Sequence, residues 1–219
     1  MRAAFIVAAS VLVPVAALAD EGETGVLAIV GLEGTTARHP KGVPDLGILS
    51  VSPALVAGAG VQYGLSNVLD ARLGLEAAVA ANVPSPRASV KGAAGDLITG
   101  FVLDARLPLA LAAHLDAGLP VSAGLVLEAG PALTLWSSSA LVDPARKDAA
   151  GRPVRLPITV DDEIGLGAFV RFKLTVHARP LDALSLSVEP YASGAWVSGP
   201  SLSVGVALRP TWQGTAGPL

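Results

Sequence analysis

In Leu69-Asp70-Ala71-Arg72-Leu73-Gly74-Leu75-Glu76-Ala77, the charged residues occupy even positions, and the odd positions hold only leucine and alanine. Successive side chains of a β-strand point to opposite faces, so a period of two indicates a strand with one continuous apolar face. The same separation by parity occurs in five further runs between residues 96 and 209. The chain therefore predicts a sheet built from alternating strands.

The residues on the polar parity indicate the environment of this sheet. In these runs the charges are accompanied by glycine, alanine and serine, which are small enough for a crowded interior. Strands that are apolar outward and polar inward are typical of a transmembrane β-barrel, because lipid surrounds the outside and closure of the sheet pairs every backbone group. A secreted β-sandwich with one solvated face is the alternative.

The first 19 residues predict a cleaved secretory signal peptide. Arg2 supplies the positive start, residues 5–15 the apolar stretch, and Ala17-Leu18-Ala19 a cleavage site with small residues at its first and third positions. A retained membrane helix is disfavoured because Pro14 interrupts the stretch. The predicted organisation is a signal peptide at 1–19, a short N-terminal tail at 20–23, the β-barrel at 24–212 and a C-terminal tail at 213–219.

Composition excludes several classes of function. The chain of 219 residues carries a formal net charge of −3, so it lacks the basic patch expected of a nucleic-acid-binding protein. It contains no cysteine, which excludes disulfides, thiolate metal sites and cysteine nucleophiles. After residue 19, no apolar run reaches the roughly 20 residues of a membrane-spanning helix. Membrane insertion would therefore depend on strands.

Turn signals between the alternating runs predict eight strands, at 24–33, 53–63, 69–80, 96–109, 120–136, 162–178, 183–197 and 200–212. Long connections at 34–52, 81–95 and 137–161 alternate with short ones at 64–68, 114–118 and 179–182, and the last connection, 198–200, is also short. In outer-membrane barrels short turns face the periplasm and long loops face outward. Both ends of the barrel chain are therefore predicted on the periplasmic side.

Two segments resemble those of a known family. The hairpin segment YGLSNVLDARLG (63–74) and the terminal strand SVGVALRPTW (203–212) are similar to those of the small eight-stranded bacterial outer-membrane β-barrels, the OmpA-like transmembrane fold. The resemblance implies an all-β protein, an eight-stranded antiparallel up-and-down transmembrane β-barrel in the bacterial outer membrane. It also implies insertion by the barrel assembly machinery and contact with outer-membrane lipid. Pro131, Pro190 and Pro210 fall inside the predicted strands, where bulges or shifted strand boundaries are expected.

Aromatic side chains are predicted at both membrane interfaces. Tyr63 and Trp212 map outward at the periplasmic rim, and Phe101 and Trp196 map outward at the opposite rim. Amphipathic rings prefer the depth of the lipid headgroups.

The lumen parity collects acids and bases in nearly equal numbers. The interior of an eight-stranded barrel is only wide enough for side chains to fill it, so these charges are predicted to form a salt-bridge network that plugs the lumen. Arg106 is expected to meet Asp70 or Glu128 of a neighbouring strand. The predicted lumen network comprises Asp70, Arg72, Glu76, Asp104, Arg106, Glu128, Glu163, Arg171, Lys173, Glu189 and Arg209. A narrow gated pore for small solutes is the alternative.

The outer loops carry more basic than acidic residues. Such loops could contact the phosphates of outer-leaflet lipopolysaccharide, and ordinary solvated loop charge is the alternative. The candidate lipopolysaccharide contacts are Arg38, Lys41, Arg87, Lys91, Arg146, Lys147, Arg152 and Arg155. The surface ligand itself is not identified by the sequence.

Nothing in the sequence predicts catalysis or a cofactor. His39, His114 and His177 map to an outer loop, a short periplasmic turn and the periplasmic end of a strand, without metal-ligand spacing. The predicted function is a structural or interaction barrel rather than an enzyme, with no catalytic, cofactor-binding or metal-ligating residue. The alternatives are the gated pore and a lipid-modifying enzyme of the outer leaflet.

Overall fold

A computed structural model describes residues 22, 24–36, 51–66, 68–90, 93–115, 121–137, 139–181, 184–197 and 199–214. Its strands are β1 (Thr24–Thr36), β2 (Val51–Ser66), β3 (Leu69–Val90), β4 (Ala93–Arg106), β5 (Leu109–Leu115), β6 (Val121–Trp136), β7 (Ser139–Lys147), β8 (Pro153–Val160), β9 (Glu163–Leu181), β10 (Leu184–Val197) and β11 (Pro200–Gly214). Within this part of the chain, no helix has the length and apolar character needed to cross a membrane.

The sheet closes on itself as an eight-stranded antiparallel barrel. β1 pairs with β2 on one side and with β11 on the other. β4 and β5 form one wall strand, since both pair with β3 and with β6. β7 prolongs β6, and β8 precedes and prolongs β9, so eleven segments make eight wall strands. The predicted eight-stranded antiparallel β-barrel is confirmed.

The two ends of the barrel differ. At one end, here called the terminal end, Thr24 pairs with Gly214 and with Tyr63. At the opposite end, the loop end, β3 with β4 and β7 with β8 continue as hairpins beyond the wall. By the usual orientation of such barrels, the terminal end faces the periplasm.

Parity separates the two faces of the wall. Along β9, the even positions from Ile164 to Val176 are exposed, whereas the intervening Arg171 and Lys173 are buried. An apolar outward band with a polar interior is the pattern of a barrel surrounded by lipid. Of the four aromatic residues predicted to face outward, Tyr63, Phe101 and Trp196 are exposed. Trp212 lies opposite the outward-facing Val26 at the terminal end, as predicted, but its side chain is only 6% exposed.

Two of the predicted long loops are strands instead. β3 runs to Val90 and β4 begins at Ala93, so most of the predicted loop 81–95 is a hairpin. The predicted loop 137–161 contains β7 and β8. Above the wall neither face of a strand meets lipid, so these strands need no period-two alternation and their sequence does not show it.

The residues that continue the outward-facing positions of the wall into this region are no longer exposed. Leu97 pairs with Leu141, and Thr99 pairs with Ser139, on the same side of the sheet as Phe101 below them. Leu97 and Leu141 are both 0% exposed, and the Thr99 and Ser139 hydroxyls hydrogen-bond at 2.8 Å. The arrangement with apolar side chains outward and polar side chains inward therefore ends at the loop end of the wall.

The prolines inside strands are accommodated without displacing the register. Pro131 lies opposite Ala168 in an unbroken ladder between β6 and β9. Its carbonyl accepts a hydrogen bond from the Leu107 amide, at the interruption between β4 and β5. Because the amide and carbonyl of one residue point to the same neighbouring strand, the missing N–H of Pro131 faces this interruption. Pro190 and Pro210 stay in register with Val206 and Leu186, so the bulges expected there are absent from the ladder between β10 and β11.

Candidate functional site

The inward face of the wall carries a buried set of charged side chains. Ten of the eleven residues predicted for the lumen are buried, and the eleventh, Glu163, is half-buried at the start of β9. The buried ten are Asp70, Arg72, Glu76, Asp104, Arg106, Glu128, Arg171, Lys173, Glu189 and Arg209. They form three clusters, which follow one another along the barrel axis.

The loop-side cluster is centred on Arg106. Its Nη1 and Nη2 donate to the two carboxylate oxygens of Glu33 at 2.6 and 2.7 Å. Nη2 also donates to Asp104 at 3.2 Å, and the Tyr191 hydroxyl donates to Glu33 at 3.0 Å. The expectation that Arg106 meets Asp70 or Glu128 is wrong, because its side chain crosses the narrow lumen to β1 instead of following the neighbouring strands.

Glu33 is the functional residue that sequence reasoning missed. It is 2% exposed and faces inward from β1. β1 places Leu27 and Ile29 inward and Val26, Val30 and Leu32 outward, so both parities are apolar and no alternation appears. The single acid in this otherwise apolar segment was the available signal.

The central cluster joins two bases to two acids. Arg171 Nη1 lies 2.7 Å from Glu76 and 3.0 Å from Glu128, and Lys173 Nζ lies 2.7 Å from Glu128. The Arg171 guanidinium also lies 4.7 Å from the centroid of the Tyr191 ring. These contacts neutralise the buried charges and add a cation–π interaction.

The terminal-side cluster begins at Glu189. This carboxylate lies 2.5 Å from Arg209 Nη2, 3.4 Å from Lys173 Nζ and 3.6 Å from Arg72 Nη1. Arg72 in turn lies 3.5 Å from Asp70. Lys173 therefore links this cluster to the central one, and Tyr191, which bonds Glu33 and lies against Arg171, links the central cluster to the loop-side one.

Two histidines extend the terminal-side cluster. His114 Nε2 lies 2.6 Å from Asp70 Oδ2, and the His114 and His177 rings meet edge to face with their centroids 5.2 Å apart. His177 hydrogen-bonds the Ser122 hydroxyl. The prediction that His114 lies in a short turn is wrong, because β5 continues to Leu115 and carries His114 on the inner side of the wall.

Little free volume remains beside the charged groups. A cavity of about 10 Å³ lies among Arg72, Glu128, Lys173 and Arg209, with Leu27, Ile29 and Ala110 on its apolar side. This is close to the smallest volume that holds one water molecule. The cavity beside these charged groups is therefore about the size of one water molecule.

The hairpin of β7 and β8 presents four exposed cations: Arg146, Lys147, Arg152 and Arg155. Arg152 Nη2 lies 2.9 Å from Asp148 Oδ2. Asp148 also accepts hydrogen bonds from the backbone amides of Arg152 and Ala150, and these bonds, led by the one from Arg152, lower the pKa of its carboxyl. Arg38, Lys41 and Lys91 lie outside the described residues, as does the side chain of Arg87.

The described residues contain no group of three or more His, Asp or Glu side chains arranged to hold a metal ion. His114 and His177 both face the lumen, so neither joins a serine on the lipid-facing surface.

Comparison with known proteins identifies the fold. No protein-family model and no curated protein sequence matches this chain. Among solved structures, Neisserial surface protein A (NspA) is similar with a TM-score of 0.50 at 14% identity, over 88% of this chain and 99% of that one. The attachment invasion locus protein Ail of Yersinia pestis gives a TM-score of 0.47 at 10% identity, over 89% and 99% of the two chains. The outer membrane protease OmpT from Escherichia coli gives 0.41 at 6% identity, over 88% and 97%.

At 14% identity, the likeness to NspA shows the fold and does not decide whether this chain is an enzyme. It does agree with the closed antiparallel sheet and the outward apolar band. The chain is an eight-stranded β-barrel with the fold of the small bacterial outer-membrane barrels.

Proposed function

We propose that this protein is a structural and interaction barrel of the bacterial outer membrane, with a salt-bridged, plugged lumen and a basic hairpin presented above the membrane. The observation that carries the proposal is a pair of buried ion-pair sets, one centred on Arg106 at the loop side and one that runs from Arg171 to Asp70 at the terminal side, with Tyr191 in contact with both. The proposed function requires neither a catalytic residue nor a cofactor.

The closed lumen follows from the energetics of its charges. A charge buried without a partner costs several kcal/mol, on the order of 3–5 when one member of a pair is removed. Opening a water-filled path would require Arg106, Arg171 and Lys173 to leave their carboxylates together, since they contact acids on three different parts of the wall. The network therefore favours a rigid plug over a pore.

The basic hairpin is placed to meet anionic groups outside the bilayer. The wall ends where Trp136 pairs with Glu163, and β7 continues to Lys147. At about 3.3 Å per residue and a tilt of roughly 35–45°, this length rises on the order of 25 Å above the wall. Arg146, Lys147 and Arg155 make no ion pair with a described residue, so their charges are available to a partner.

Lipopolysaccharide phosphates are the partner we infer for these cations. Guanidinium and ammonium groups form strong charge-assisted hydrogen bonds with phosphate, and outer-leaflet lipopolysaccharide surrounds a barrel of this kind. At the height of the hairpin, the available phosphates are those of the saccharide core above the lipid headgroups. Screening by salt should weaken this contact, since the hairpin charges are exposed.

The proposed contact between the hairpin and lipopolysaccharide is tested by replacing the basic side chains with serine. The triple variant Arg146→Ser, Lys147→Ser, Arg155→Ser should bind lipopolysaccharide micelles about tenfold or more weakly than the natural chain, with a shallower dependence on salt. The matched control is Asp161→Ser with Asp162→Ser, two exposed acids at the junction of β8 and β9, which should bind at least as well. Equal binding of the triple variant, or undiminished binding to dephosphorylated lipopolysaccharide, would contradict the proposed contact.

The plug is tested separately by conductance. Purified protein in planar bilayers should give no steady ion current, because the ion pairs fill the lumen at three successive levels. A steady current that disappears on removal of the protein would instead establish the narrow pore as its function.

A further inference from the structure

Two grooves open on the lipid-facing surface near the loop end of the barrel. One, of about 400 Å³, lies across β9, β10 and β11, and its outward lining is Ala168, Val170, Gly194, Trp196, Pro200 and Leu202. The other, of about 550 Å³, lies across β2, β1 and β11, and its outward lining is Leu32, Gly34, Val51, Pro53, Val204 and Val206. We call them the Gly194 groove and the Gly34 groove. Both outward linings are apolar.

Each groove contains a glycine that its strand does not require. A Cβ at Gly194 would have only Leu202 Cδ2 within 4 Å, at 4.0 Å, and the nearest atom to a Cβ at Gly34 would be Val51 Cγ1 of a side chain, at 3.2 Å. Neither glycine has a positive φ. By contrast, a Cβ at Gly205, on the lumen face, would lie 2.6 Å from a backbone oxygen. Glycine weakens a strand and often marks a place that a ligand approaches.

The two grooves lie at similar depth on either side of β11. Leu202 pairs with Gly194, and Val204 pairs with Gly34, so the outward side chains of β11 separate the grooves. Neighbouring strands are about 4.7–4.9 Å apart, which places the two glycines, on β10 and β1, on the order of 10 Å from each other. Trp196 lies two residues from Gly194 toward the loop end, and tryptophan prefers the headgroup depth. The grooves therefore lie just below the headgroups of the outer leaflet.

The rim above β11 leaves room for a lipid headgroup. β10 ends at Val197 and β11 begins at Pro200, so these strands join at the rim in a short turn. The hairpins that continue beyond the wall are those of β3 with β4 and of β7 with β8. A headgroup can therefore lie above β11 while its acyl chains descend on both sides of that strand.

We propose that the Gly194 and Gly34 grooves together bind two acyl chains of one lipopolysaccharide molecule. Lipopolysaccharide carries several acyl chains on one headgroup, which suits two grooves on the order of 10 Å apart. A second copy of the barrel is disfavoured, because each groove is lined by fewer than ten residues, whereas a stable protein interface has roughly 20–30 on each side. The inference rests on the proposed function for the choice of lipid, and it adds the place where the hydrocarbon of that lipid binds.

The grooves select this lipid through packing. Acyl chains already lie in an apolar medium, so binding gains van der Waals contacts rather than transfer from water. On the order of ten additional carbon contacts would enrich the bound lipid about fivefold or more over other lipids. A leucine side chain at Gly194 or Gly34 would occupy the groove and remove those contacts.

The test is competitive lipid retention, measured by native mass spectrometry. The full chain is folded in mild detergent with equal amounts of phosphatidylglycerol and of lipid A, which has the acyl chains but no core saccharide. Lipid A should be retained in about fivefold excess or more. Gly194→Leu and Gly34→Leu should each reduce this excess, and the two together should abolish it. The matched control is Ala81→Leu, which adds the same side chain at an exposed position of β3 opposite Phe101 and should leave the excess unchanged.

The hairpin variant separates this contact from the one proposed for the β7–β8 hairpin. The triple variant Arg146→Ser, Lys147→Ser, Arg155→Ser should retain the excess of lipid A, because the hairpin is proposed to contact phosphates of the saccharide core. Loss of the excess in this variant would assign lipid A to the hairpin and overturn the groove proposal. An unchanged excess in the filled variants would overturn it while leaving the hairpin contact intact.

A second measurement uses the natural chain alone. In deuterated detergent, nuclear Overhauser effects should join the methyl groups of Val170 and Leu202 to the acyl chains of lipid A. They should be weaker at Val79, which is exposed at a similar depth on β3. Equal effects at Val79 would mean that lipid covers the wall without selection, and contacts between two barrels would assign the grooves to a second copy. Either result overturns the proposal.

Discussion

The lumen and the β7–β8 hairpin each contain an arginine paired with a carboxylate, in opposite surroundings. The Arg106 side chain is 1% exposed and binds Glu33 through two hydrogen bonds across the barrel. The Arg152 side chain is 76% exposed and binds Asp148 four residues away on the same turn. Removal from water makes a pair in the lumen obligatory, because neither partner can be solvated alone. On the hairpin, the ion pair of Arg152 with Asp148 joins two residues of one turn, and water can replace either partner.

The largest expected effect comes from breaking the lumen pair. Arg106→Ala leaves Glu33 and Asp104 buried with fewer partners, and should lower the free energy of unfolding by about 3–5 kcal/mol. Arg106→Ala combined with Glu33→Ala should cost less than the sum of the two single changes. Urea unfolding in lipid vesicles gives both quantities. Additive single effects, with no coupling, would mean that the pair is solvated and the lumen is wet.

The hairpin supplies the matched comparison for this cycle. Arg152→Ala should leave the unfolding midpoint in the same vesicles unchanged, since the pair is exposed and lies outside the wall. A loss comparable to that of Arg106→Ala would show that the hairpin is an integral part of the folded barrel, and the contrast between the two regions would fail.

A smaller effect distinguishes the lipid-facing wall from the hairpin at positions without ion pairs. Leu174 faces outward from the middle of β9, and Ala145 is exposed on β7. Leu174→Arg places a charge against lipid and should destabilise by roughly 2–4 kcal/mol if the site lies near the bilayer midplane. Ala145→Arg should be nearly neutral because water surrounds it. Folding titrations in liposomes compare the two, and equal tolerance would mean that the outward band does not face lipid.

These two regions also explain how far the sequence could be interpreted. Wherever one face of a strand meets lipid, alternation is enforced, and Arg171, Lys173 and the outward leucines beside them were assigned correctly to opposite faces. The hairpins have no such constraint, so β7 and β8 were mistaken for a loop. In these hairpins, Leu97 of β4 and Leu141 of β7 continue the outward-facing positions of the wall, yet both are buried. No local sequence pattern encodes this burial.

The partners within the lumen were beyond sequence reasoning for a different reason. Parity tells which residues point inward, but the partner of each depends on which side chains reach the same height across the barrel. Arg106 lies opposite Glu76 in the ladder between β3 and β4, yet it binds Glu33, 73 residues away. The meeting of the His114 and His177 rings likewise depends on the registers of β5 and β9 with the strand β6 that lies between them.

The smallest expected effect concerns pH on the hairpin. The pKa of Asp148 is lowered because the backbone amide of Arg152, then the Arg152 side chain, and then the backbone amide of Ala150 hydrogen-bond its ionised form. A group with a lowered pKa contributes order that is present above its ordinary titration range and is lost as the pH falls through the lowered value. Nuclear magnetic resonance of the barrel in detergent should therefore show the Ala150 and Arg152 amides moving on acidification, in a step below the usual aspartate range. Asp148→Asn should remove that step while the amides of β9 keep their positions. A step that persists in this variant would assign the titration to another group, and the turn would then owe its order to its backbone alone.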